Sequence, residues 1–295
     1  MSGPILRLGT DELLTVVRKL DLLEVVVEQL LRHRDAPGNT LPKDAYGPAG
    51  EHVVFRDERT GTRCAVPAAG LRACRTAALT ALAARQLLVP GVVTASVIGS
   101  GPVADLLIPV IVRHVPDVSH ITLCPVGGPV ADSVQPMLAE ELEQAGIGLS
   151  VTPRMEEAVF GASLIALSGA DPAGLRSGHV ASGAVVVNAS GQDLPEGLLH
   201  GVRRVFVDDL ERLRSAGERR FVRVHHAEAG IHPSEQRGRV DSDLRQILRG
   251  ERPGRTGLDH ILLVELLGTD ALDRTLAQRI HRTALLHGLG TFRPS

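Results

Sequence analysis

Residues 92–104 read VVTASVIGSGPVA, and they carry the clearest fold signal in the sequence. An apolar, β-branched run leads into a GxGxxA turn from Gly99 to Ala104, and a helical pattern follows. Gly99 permits the tight turn, Gly101 lets a diphosphate approach the backbone, and Ala104 allows the helix to pack closely on the strand. The helix N-terminus adds unpaired N–H groups for the anion. The stretch therefore predicts a strand–turn–helix unit that binds a dinucleotide, with a related fold that has lost its ligand as the alternative.

The chain beyond this stretch repeats the alternation of strand and helix. Short apolar runs typical of buried strands are separated by segments long enough for a crossover. Alternating strands and helices indicate parallel pairing. We therefore predict an α/β fold with a Rossmann-type doubly wound parallel sheet. The predicted strands are 92–98, 121–124, 149–152, 164–168, 184–189 and 205–207, and the predicted helices between them include 103–114 and 130–145.

The sequence before residue 91 predicts a second, smaller α+β domain. Apolar residues at helical spacing and a short pair of strands with a polar turn support this prediction. We assign 1–90, completed by 270–295, to a substrate-binding and dimerisation domain, and 91–269 to the dinucleotide-binding domain. The predicted elements are a helix over 13–31, a hairpin over 53–66, and helices over 71–88, 242–249 and 270–287.

Composition and charge exclude several classes of protein. The 295 residues include 32 basic and 34 acidic side chains, and a net charge of -2 provides no field that would attract nucleic acid. Aromatic residues make up only 2%, too few for base stacking or for a membrane belt. The amino terminus lacks the basic and apolar regions of a secretion signal. We expect a cytoplasmic protein with no nucleic-acid partner and no membrane partner.

Cysteines and histidines suggest no metal site. Cys64, Cys74 and Cys124 are scattered without a CxxC pair, which fits buried thiols in a reducing compartment. Three histidines lie between 225 and 232, but exposed loop histidines are common, so we predict no metal cofactor.

The glycine motif supplies the predicted cofactor site. The acidic residue that usually binds the ribose hydroxyls should end the second strand, about twenty residues later. There the sequence reads LCPVGG over 123–128, with Cys124 as the candidate contact and with neither a carboxylate nor an arginine. Nothing nearby could neutralise a 2′-phosphate, so we favour NAD and leave NADP open. The motif residues assigned to the cofactor are Gly99, Ser100, Gly101, Pro102 and Val103.

Five short segments, in order along the chain, resemble the ornithine cyclodeaminase/mu-crystallin family. The resemblance spans roughly residues 50–295 and implies an NAD(P)-binding homodimer that cyclises, deaminates, oxidises or reduces small amino acids and their imines. The segments are RTAA at 75–78, IGSG at 98–101, NASGQD at 188–193, LRGERPGRT at 248–256 and GLGT at 288–291.

The resemblance implies two catalytic roles. Arg75 would hold the substrate carboxylate through its two-pronged guanidinium group. Asp193 would be the catalytic carboxylate that moves a proton beside the reacting carbon. Without the resemblance, Arg75 would be interpreted as a surface arginine near a helix N-terminus and Asp193 as a turn residue before Pro195.

Further cofactor contacts are implied in the same way. Thr76 would lie against the cofactor phosphates, and Ser168 with Gly169 would form the turn beside the cofactor at the end of the fourth strand. Ser190 lies at the matching end of the next strand.

The sequence departs from the family at two lysines. Family members have a substrate-binding lysine within a longer amino-terminal part, and here the glycine motif arrives early. Lys43 is the candidate for that contact, with a structural or solvent-exposed role as the alternative. No lysine follows Asp193 as it does in the family. Either the substrate differs from a simple diamino acid, or the catalytic function has drifted.

The sequence leaves three functional hypotheses. We predict an NAD(P)-dependent oxidoreductase that interconverts an amino-acid-derived amine and imine in a specialised biosynthetic pathway, with a small amino-acid-like substrate and a homodimeric assembly. The first alternative is a redox-neutral amino-acid cyclodeaminase. The second is a non-catalytic protein that binds a cofactor or ligand, like the crystallin branch of the family.

Overall fold

The computed structural model describes residues 4–32, 51–99, 102–127, 134–169, 171–216, 219, 221, 240–268 and 270–294. These residues form one sheet of eight strands and one of four. Every strand pairing in the larger sheet is parallel, and helices cover both of its faces. The predicted α/β fold with a doubly wound parallel sheet is confirmed.

The strands of both sheets are numbered in chain order. They are β1 (Ile5–Arg7), β2 (His52–Arg56), β3 (Arg63–Pro67), β4 (Val93–Ile98), β5 (Val118–Cys124), β6 (Gly148–Val151), β7 (Leu164–Leu167), β8 (Val185–Asn188), β9 (Val202–Val207), β10 (Val240–Asp243), β11 (Ile261–Glu265) and β12 (Thr291–Arg293).

The α-helices are numbered in the same way, and no helix among the described residues is long and apolar enough to cross a bilayer. They are α1 (Thr10–Lys19), α2 (Leu22–Leu31), α3 (Ala68–Leu87), α4 (Pro102–His114), α5 (Pro136–Gln144), α6 (Met155–Val159), α7 (Glu196–Leu199), α8 (Leu244–Leu248) and α9 (Asp270–Leu286).

The strand order of the large sheet creates a crevice at its centre. The order is β6-β5-β4-β7-β8-β11-β9-β10. From β4 the chain moves outward through β5 and β6, then returns to β7 and proceeds in the opposite direction. β4 and β7 are therefore neighbours whose connections diverge, and such a switch point is where doubly wound sheets bind ligands.

Burial on both faces explains the apolar strands of this sheet. All four residues of β7 and all four of β8 are buried. One core cluster lies on the face covered by α3, α4 and α5, and a second lies on the face covered by α6 and α7. Parallel strands covered on both sides have nearly continuous apolar sequences, which is the pattern that predicted them.

The small sheet has the order β12-β1-β3-β2. β2 and β3 form the predicted hairpin, with His52 opposite Pro67 and Arg56 opposite Arg63. β1 pairs parallel with β3 and antiparallel with β12. This sheet thus combines strands from before α3 with one that follows α9, while the exact division into domains stays a prediction.

Helix α3 is a central element that touches both parts of the molecule. Fifteen of its 20 residues are buried, many of them alanines, and it packs against α2, α4, β3 and β8. It begins at Ala68, so Arg75 lies in the helix interior. The interpretation of Arg75 as a surface residue near a helix N-terminus is therefore wrong.

The predicted helix over 13–31 is two helices. α1 ends at Lys19 and α2 begins at Leu22, because the Asp21 carboxylate accepts a hydrogen bond from the Glu24 amide at 2.9 Å. An aspartate at this position satisfies a free N–H group of a new helix, and the chain reorients there.

The predicted helix over 242–249 is a strand followed by a short helix. β10 ends at Asp243, whose carboxylate accepts from the Gln246 amide at 2.8 Å and caps α8. Three further strands, β1, β11 and β12, were not predicted. The helix predicted over 130–145 is α5, and residues 128–133 lie outside the described part of the chain.

Candidate active site

The register of the large sheet aligns the carboxyl ends of six strands. The residues at the carboxyl ends of neighbouring strands are paired across the sheet. The segments that follow these strands therefore all lie at the carboxyl edge of the sheet. Residues far apart in the chain are thereby brought together where ligands bind in this fold. The paired row is Cys124, Ile98, Leu167, Asn188, Glu265 and Val207.

The predicted cofactor residues Gly99, Ser168 and Gly169 flank the crevice between β4 and β7. The Gly99 amide donates to the Cys124 carbonyl at 3.0 Å, and the Ser168 amide donates to the Ile98 carbonyl at 2.8 Å. Gly169 has a φ of 74°, and a Cβ placed there would meet nothing within 4 Å. The main chain is thus held by the ladder while space remains beside it, which fits a ligand that approaches the backbone.

Three other predicted cofactor residues lie on helices α3 and α4. Pro102 is the first residue of α4 and Val103 is the second, so that helix begins next to the end of β4. Thr76 is buried on α3, which packs against α4. Ser100 and Gly101, the centre of the motif, lie outside the described residues.

A carboxylate faces the end of β5 from a different element. Burial of Cys124 raises the pKa of its thiol, and the charge of Glu156 raises it further. Glu156 belongs to α6, which packs against β4 and β5. The acidic side chain expected directly after β5 is absent there, and a later helix places one nearby.

The Asn188 side chain organises the loop after β8. Its Oδ1 accepts from the Ser190 amide at 3.1 Å and from the Ser190 hydroxyl at 2.6 Å, while its Nδ2 donates to the Gln192 carbonyl at 3.0 Å. The Ser190 hydroxyl accepts in turn from the Gln192 amide at 3.1 Å. This asparagine turn shapes the backbone that leads to Asp193.

The buried carboxylate of Glu265 ends β11 beside this loop. Its two oxygens accept from Asn188 Nδ2 at 3.0 and 3.1 Å, and Oε2 also accepts from Arg219 Nη2 at 2.8 Å. Burial raises the pKa of this carboxyl group to about 7, although Arg219 and Asn188 act in the opposite direction. Its charge therefore changes near neutral pH.

Arg219 connects the buried carboxylate to Asp193. Its Nε donates to Asp193 Oδ1 at 3.2 Å, and its Nη2 donates to the Gln192 carbonyl at 2.9 Å. The side chains are 32% exposed at Asp193, 19% at Arg219 and 1% at Glu265. The series of contacts thus runs from the accessible Asp193 into the interior.

Arg75 reaches the same edge from helix α3. Its Nη1 donates to Asp273 Oδ2 at 2.5 Å, and the side chains are 17% and 4% exposed. The guanidinium group lies against Gly268, three residues beyond the end of β11, where a Cβ would be 2.8 Å from Nη2. Arg75 is therefore a fixed, partly buried cation.

Asp208 holds the segment that contacts Arg75. It follows β9, and its two oxygens accept from the Leu267 and Gly268 amides, each at 2.8 Å. Burial raises the pKa of Asp208, while these two amides and the charge of Arg75 oppose that effect. The loop after β11 is thus held on one side by a carboxylate and on the other by a guanidinium group.

The structure brings Arg75 and Asp193 to the end of a single strand. Asp193 approaches β11 through Arg219 and Glu265, and Arg75 approaches it through Gly268. The predicted cofactor residues that end or directly follow β4, β5, β7 and β8 lie along the same sheet edge. The predicted substrate contact Lys43 lies outside the described residues, as does the histidine-containing segment 225–232.

No group of three metal-ligating side chains occurs in the part of the chain that the structure describes.

The sequence reasoning missed Arg219, Glu265, Asp208 and Asp273. One pattern could have identified two of them: ILLVE and VFVD are apolar runs that end in a carboxylate. An acidic residue directly after a buried strand lies at the carboxyl edge of a parallel sheet. Arg219 and Asp273 have no comparable local pattern, because their contacts depend on the arrangement of distant segments.

A sequence profile of the ornithine cyclodeaminase/mu-crystallin family matches residues 40–287, and the chain belongs to this family. Among curated proteins, no significant match exists.

Several solved structures share the fold. CmnK is 20% identical, with a TM-score of 0.70 and coverage of 99% of both chains. The Δ1-pyrroline-2-carboxylate reductase of Thermococcus litoralis, solved with NADH and L-proline, is 16% identical, with a TM-score of 0.66 and coverage of 98% of this chain and 99% of that chain. An archaeal alanine dehydrogenase dimer with bound NAD is 17% identical, with a TM-score of 0.66 and coverage of 99% of both chains.

Proposed function

We propose that the protein is an NAD(H)-dependent oxidoreductase that interconverts an amino-acid-derived amine and its imine. The observation that carries this proposal is the convergence of Arg75 and Asp193 on the end of β11, along the same sheet edge as the glycine turn. Family membership and the likeness to a pyrroline-carboxylate reductase and an alanine dehydrogenase support it.

The crevice between β4 and β7 fits a dinucleotide. The open space beside Gly169 leaves its main chain accessible, and α4 begins shortly after the end of β4. Ser168, Ser190 and Cys124 lie along the same edge as further contacts. A dinucleotide bound along this edge would supply hydride-transfer chemistry to the amine or imine carbon.

Arg75 and Asp193 have complementary tasks in this reaction. Arg75 is held by Asp273 and presents a guanidinium group suited to a substrate carboxylate. Oxidation of an amine to an imine releases a proton from nitrogen, and Asp193 is the accessible carboxylate that takes it and returns it in the reverse direction. Fixing the substrate at one end allows the proton carrier and the cofactor to act on one carbon.

The wider setting follows the family. We propose a homodimer with a small amino-acid-like substrate, working in a specialised biosynthetic pathway in the cytoplasm. Cys64, Cys74 and Cys124 are buried free thiols, which fits a reducing compartment. We also retain the proposed division into a dinucleotide-binding domain at 91–269 and a substrate-binding and dimerisation domain.

The assay that tests this function separates it from the two alternatives. Candidate amino acids and imines are incubated with NAD⁺ or NADH, and both NADH absorbance and released ammonia are measured. Net absorbance change is the expected result. Ammonia without net absorbance change would identify a redox-neutral cyclodeaminase, and no turnover with bound cofactor would identify a binding protein.

Asp193→Asn tests the role of the proton carrier. We expect turnover to fall at least about a hundredfold, because the amide cannot accept a proton, while NADH affinity changes by less than threefold. Asp117→Asn, an exposed aspartate before β5 at the opposite edge of the sheet, is the matched control and should retain full turnover. Full activity of the Asp193 variant would remove that residue from the mechanism.

We further propose that the cofactor is NAD and that Glu156 disfavours NADP. A 2′-phosphate near the end of β5 would meet the negative charge that acts on Cys124. Glu156→Gln should therefore lower the ratio of the NADPH and NADH dissociation constants roughly fivefold, measured by fluorescence titration. Glu157→Gln is the control, because its carboxylate accepts from the Thr152 hydroxyl at 2.7 Å. Equal changes for both cofactors would contradict this role.

A further inference from the structure

Glu265 lies where two supports of the Asp193 loop meet. Asn188, which donates to both Glu265 oxygens, also donates to the Gln192 carbonyl and accepts from Ser190. Arg219, which donates to Glu265 Oε2, also donates to the Gln192 carbonyl and to Asp193. The backbone and the carboxylate of the loop are thus both tied to one buried side chain.

The buried position makes this side chain a firm support. Glu265 is 1% exposed, so water cannot replace partners that it loses. Removing it would leave the partly buried guanidinium group of Arg219 without its inner acceptor and the Asn188 amide without one of its acceptors. The orientation of Asp193 therefore depends on a residue that does not itself reach the accessible part of the site.

Charge links the two carboxylates through Arg219. The groups that face Glu265 are Asn188 on β8, Asp193 after β8, Asp208 after β9, and Arg219. When Glu265 is ionised, Arg219 is held between two carboxylates. When Glu265 is neutral, Arg219 loses the ionic part of its inner contact, and the support of the Asp193 loop weakens.

We propose that Glu265 is a positioning residue that, through Arg219 and Asn188, sets the orientation of Asp193. This inference rests on the proposed function, because it assigns Glu265 a part in the proton transfer of that reaction. Because burial raises the pKa of Glu265 to about 7, the ionic support of the Asp193 loop strengthens as pH rises through neutrality.

The test compares kcat for amine oxidation between pH 5.5 and 9 in three variants and the wild type. Wild type should show a rise in kcat centred near pH 7, the value to which burial moves the pKa of Glu265. Glu265→Gln should lose this rise and fall about tenfold below wild type at pH 8, with KM within threefold. Glu265→Asp keeps the negative charge, so the rise of kcat with pH should return. Glu196→Gln removes an exposed carboxylate from the nearby helix α7 and should match the wild type.

A second measurement follows the folded state without activity. The pKa of Glu265 is higher in the folded than in the unfolded protein, so its contribution to stability is present at low pH and is lost as pH rises through about 7. The melting temperature of the wild type should therefore fall relative to Glu265→Gln between pH 5 and 8. If the difference in melting temperature between the two proteins stayed constant from pH 5 to 8, Glu265 would not titrate in this range.

The outcomes separate this inference from the proposed function. An active wild type with an unchanged pH profile in Glu265→Gln overturns the positioning role alone. A wild type that turns over no amine or imine overturns the proposed function, and the positioning role falls with it. Loss of the rise of kcat with pH in Glu265→Gln, with its return in Glu265→Asp, supports the positioning role.

Discussion

Gly268 has no side chain where Arg75 needs space. A Cβ there would lie 2.8 Å from Nη2 of Arg75 and 3.1 Å from its Cζ. The backbone at this position has a φ of 82°, which residues other than glycine rarely adopt. Asp208 fixes the Gly268 amide at 2.8 Å, so the loop cannot easily move away. The space left by the missing Cβ of Gly268 therefore allows the Arg75 guanidinium group to take its position.

We expect Gly268→Ala and Arg75→Lys to weaken substrate binding in the same way. The alanine methyl group displaces the guanidinium, and lysine lacks its fork, so KM should rise about tenfold or more with NADH affinity unchanged. Steady-state kinetics with the preferred substrate would measure this. Gly250→Ala is the control: its φ is 69°, but a Cβ there meets nothing within 4 Å. If Gly250→Ala raised KM equally, backbone strain would explain the effect of Gly268→Ala.

Local sequence identified only some of the site residues. The role of Gly99 was predicted from its GxGxxA motif. Arg75 and Asp193 were recognised because short segments around them resemble the family. Arg219 was missed because its contact with Glu265 joins residues 46 positions apart. Whether a carboxylate is a solvated surface group or a buried support depends on which strands are neighbours, and no local spacing states that.

Arg255 joins three elements that meet at the amino edge of the large sheet. Its guanidinium donates to the carbonyls of Leu87 at 2.6 Å, Gly183 at 2.7 Å, Gly257 at 3.0 Å and His260 at 2.7 Å. Leu87 ends α3, Gly183 precedes β8, and His260 precedes β11. Burial lowers the pKa of Arg255, but the group remains charged at neutral pH. One side chain thus satisfies the carbonyls of several element ends.

Arg255→Lys should destabilise the protein by about 3 kcal/mol, because an ammonium group cannot reach all four carbonyls and leaves some of them unsatisfied. Urea unfolding followed by circular dichroism would measure the change. Turnover per folded molecule should remain near that of the wild type, since Arg255 is far along the strands from the carboxyl edge. Arg252→Lys, at an exposed position of the same loop, should change stability by less than about 0.5 kcal/mol.

Elements with strong patterns were predicted, and short or displaced ones were not. β4, β7 and β8 have apolar runs next to turns, and they appear where expected. β11 has an apolar run too, but a short buried run does not distinguish strand from helix. β1 and β12 have three residues each, too few to show alternation, and they exist because each pairs with a distant strand.

Asp57 connects the β2–β3 hairpin to helix α9 across the molecule. It is fully buried, and its oxygens accept from Arg282 Nε at 2.7 Å and Nη2 at 2.8 Å, with His281 Nδ1 at 3.4 Å. The Arg282 hydrogen bonds lower the pKa of Asp57 to about 2. His281 Nε2 also lies 3.0 Å from the Thr62 hydroxyl, at the other end of the same turn.

Asp57→Asn should therefore reduce stability in a pH-dependent way. The pKa of Asp57 is lower in the folded protein, so its ionised form contributes about 2 kcal/mol above pH 4, and this contribution is lost as pH falls through about 2. The difference in unfolding free energy between wild type and variant should thus shrink towards pH 2, as measured by urea titrations. Asp259→Asn, whose side chain is 83% exposed, should show a small difference at every pH.

The pairing of β1 also has a consequence for the order in which the molecule is built during translation. β1 is made long before one of its neighbours, β12, with Ile5 opposite Arg293. Helices α1 and α2 likewise pack against α9. On the ribosome, the parallel sheet around β4 can assemble while these early segments still lack their partners. β1, α1 and α2 thus become fully native only after β12 and α9 have been made, and a chaperone would meet their apolar faces in the meantime.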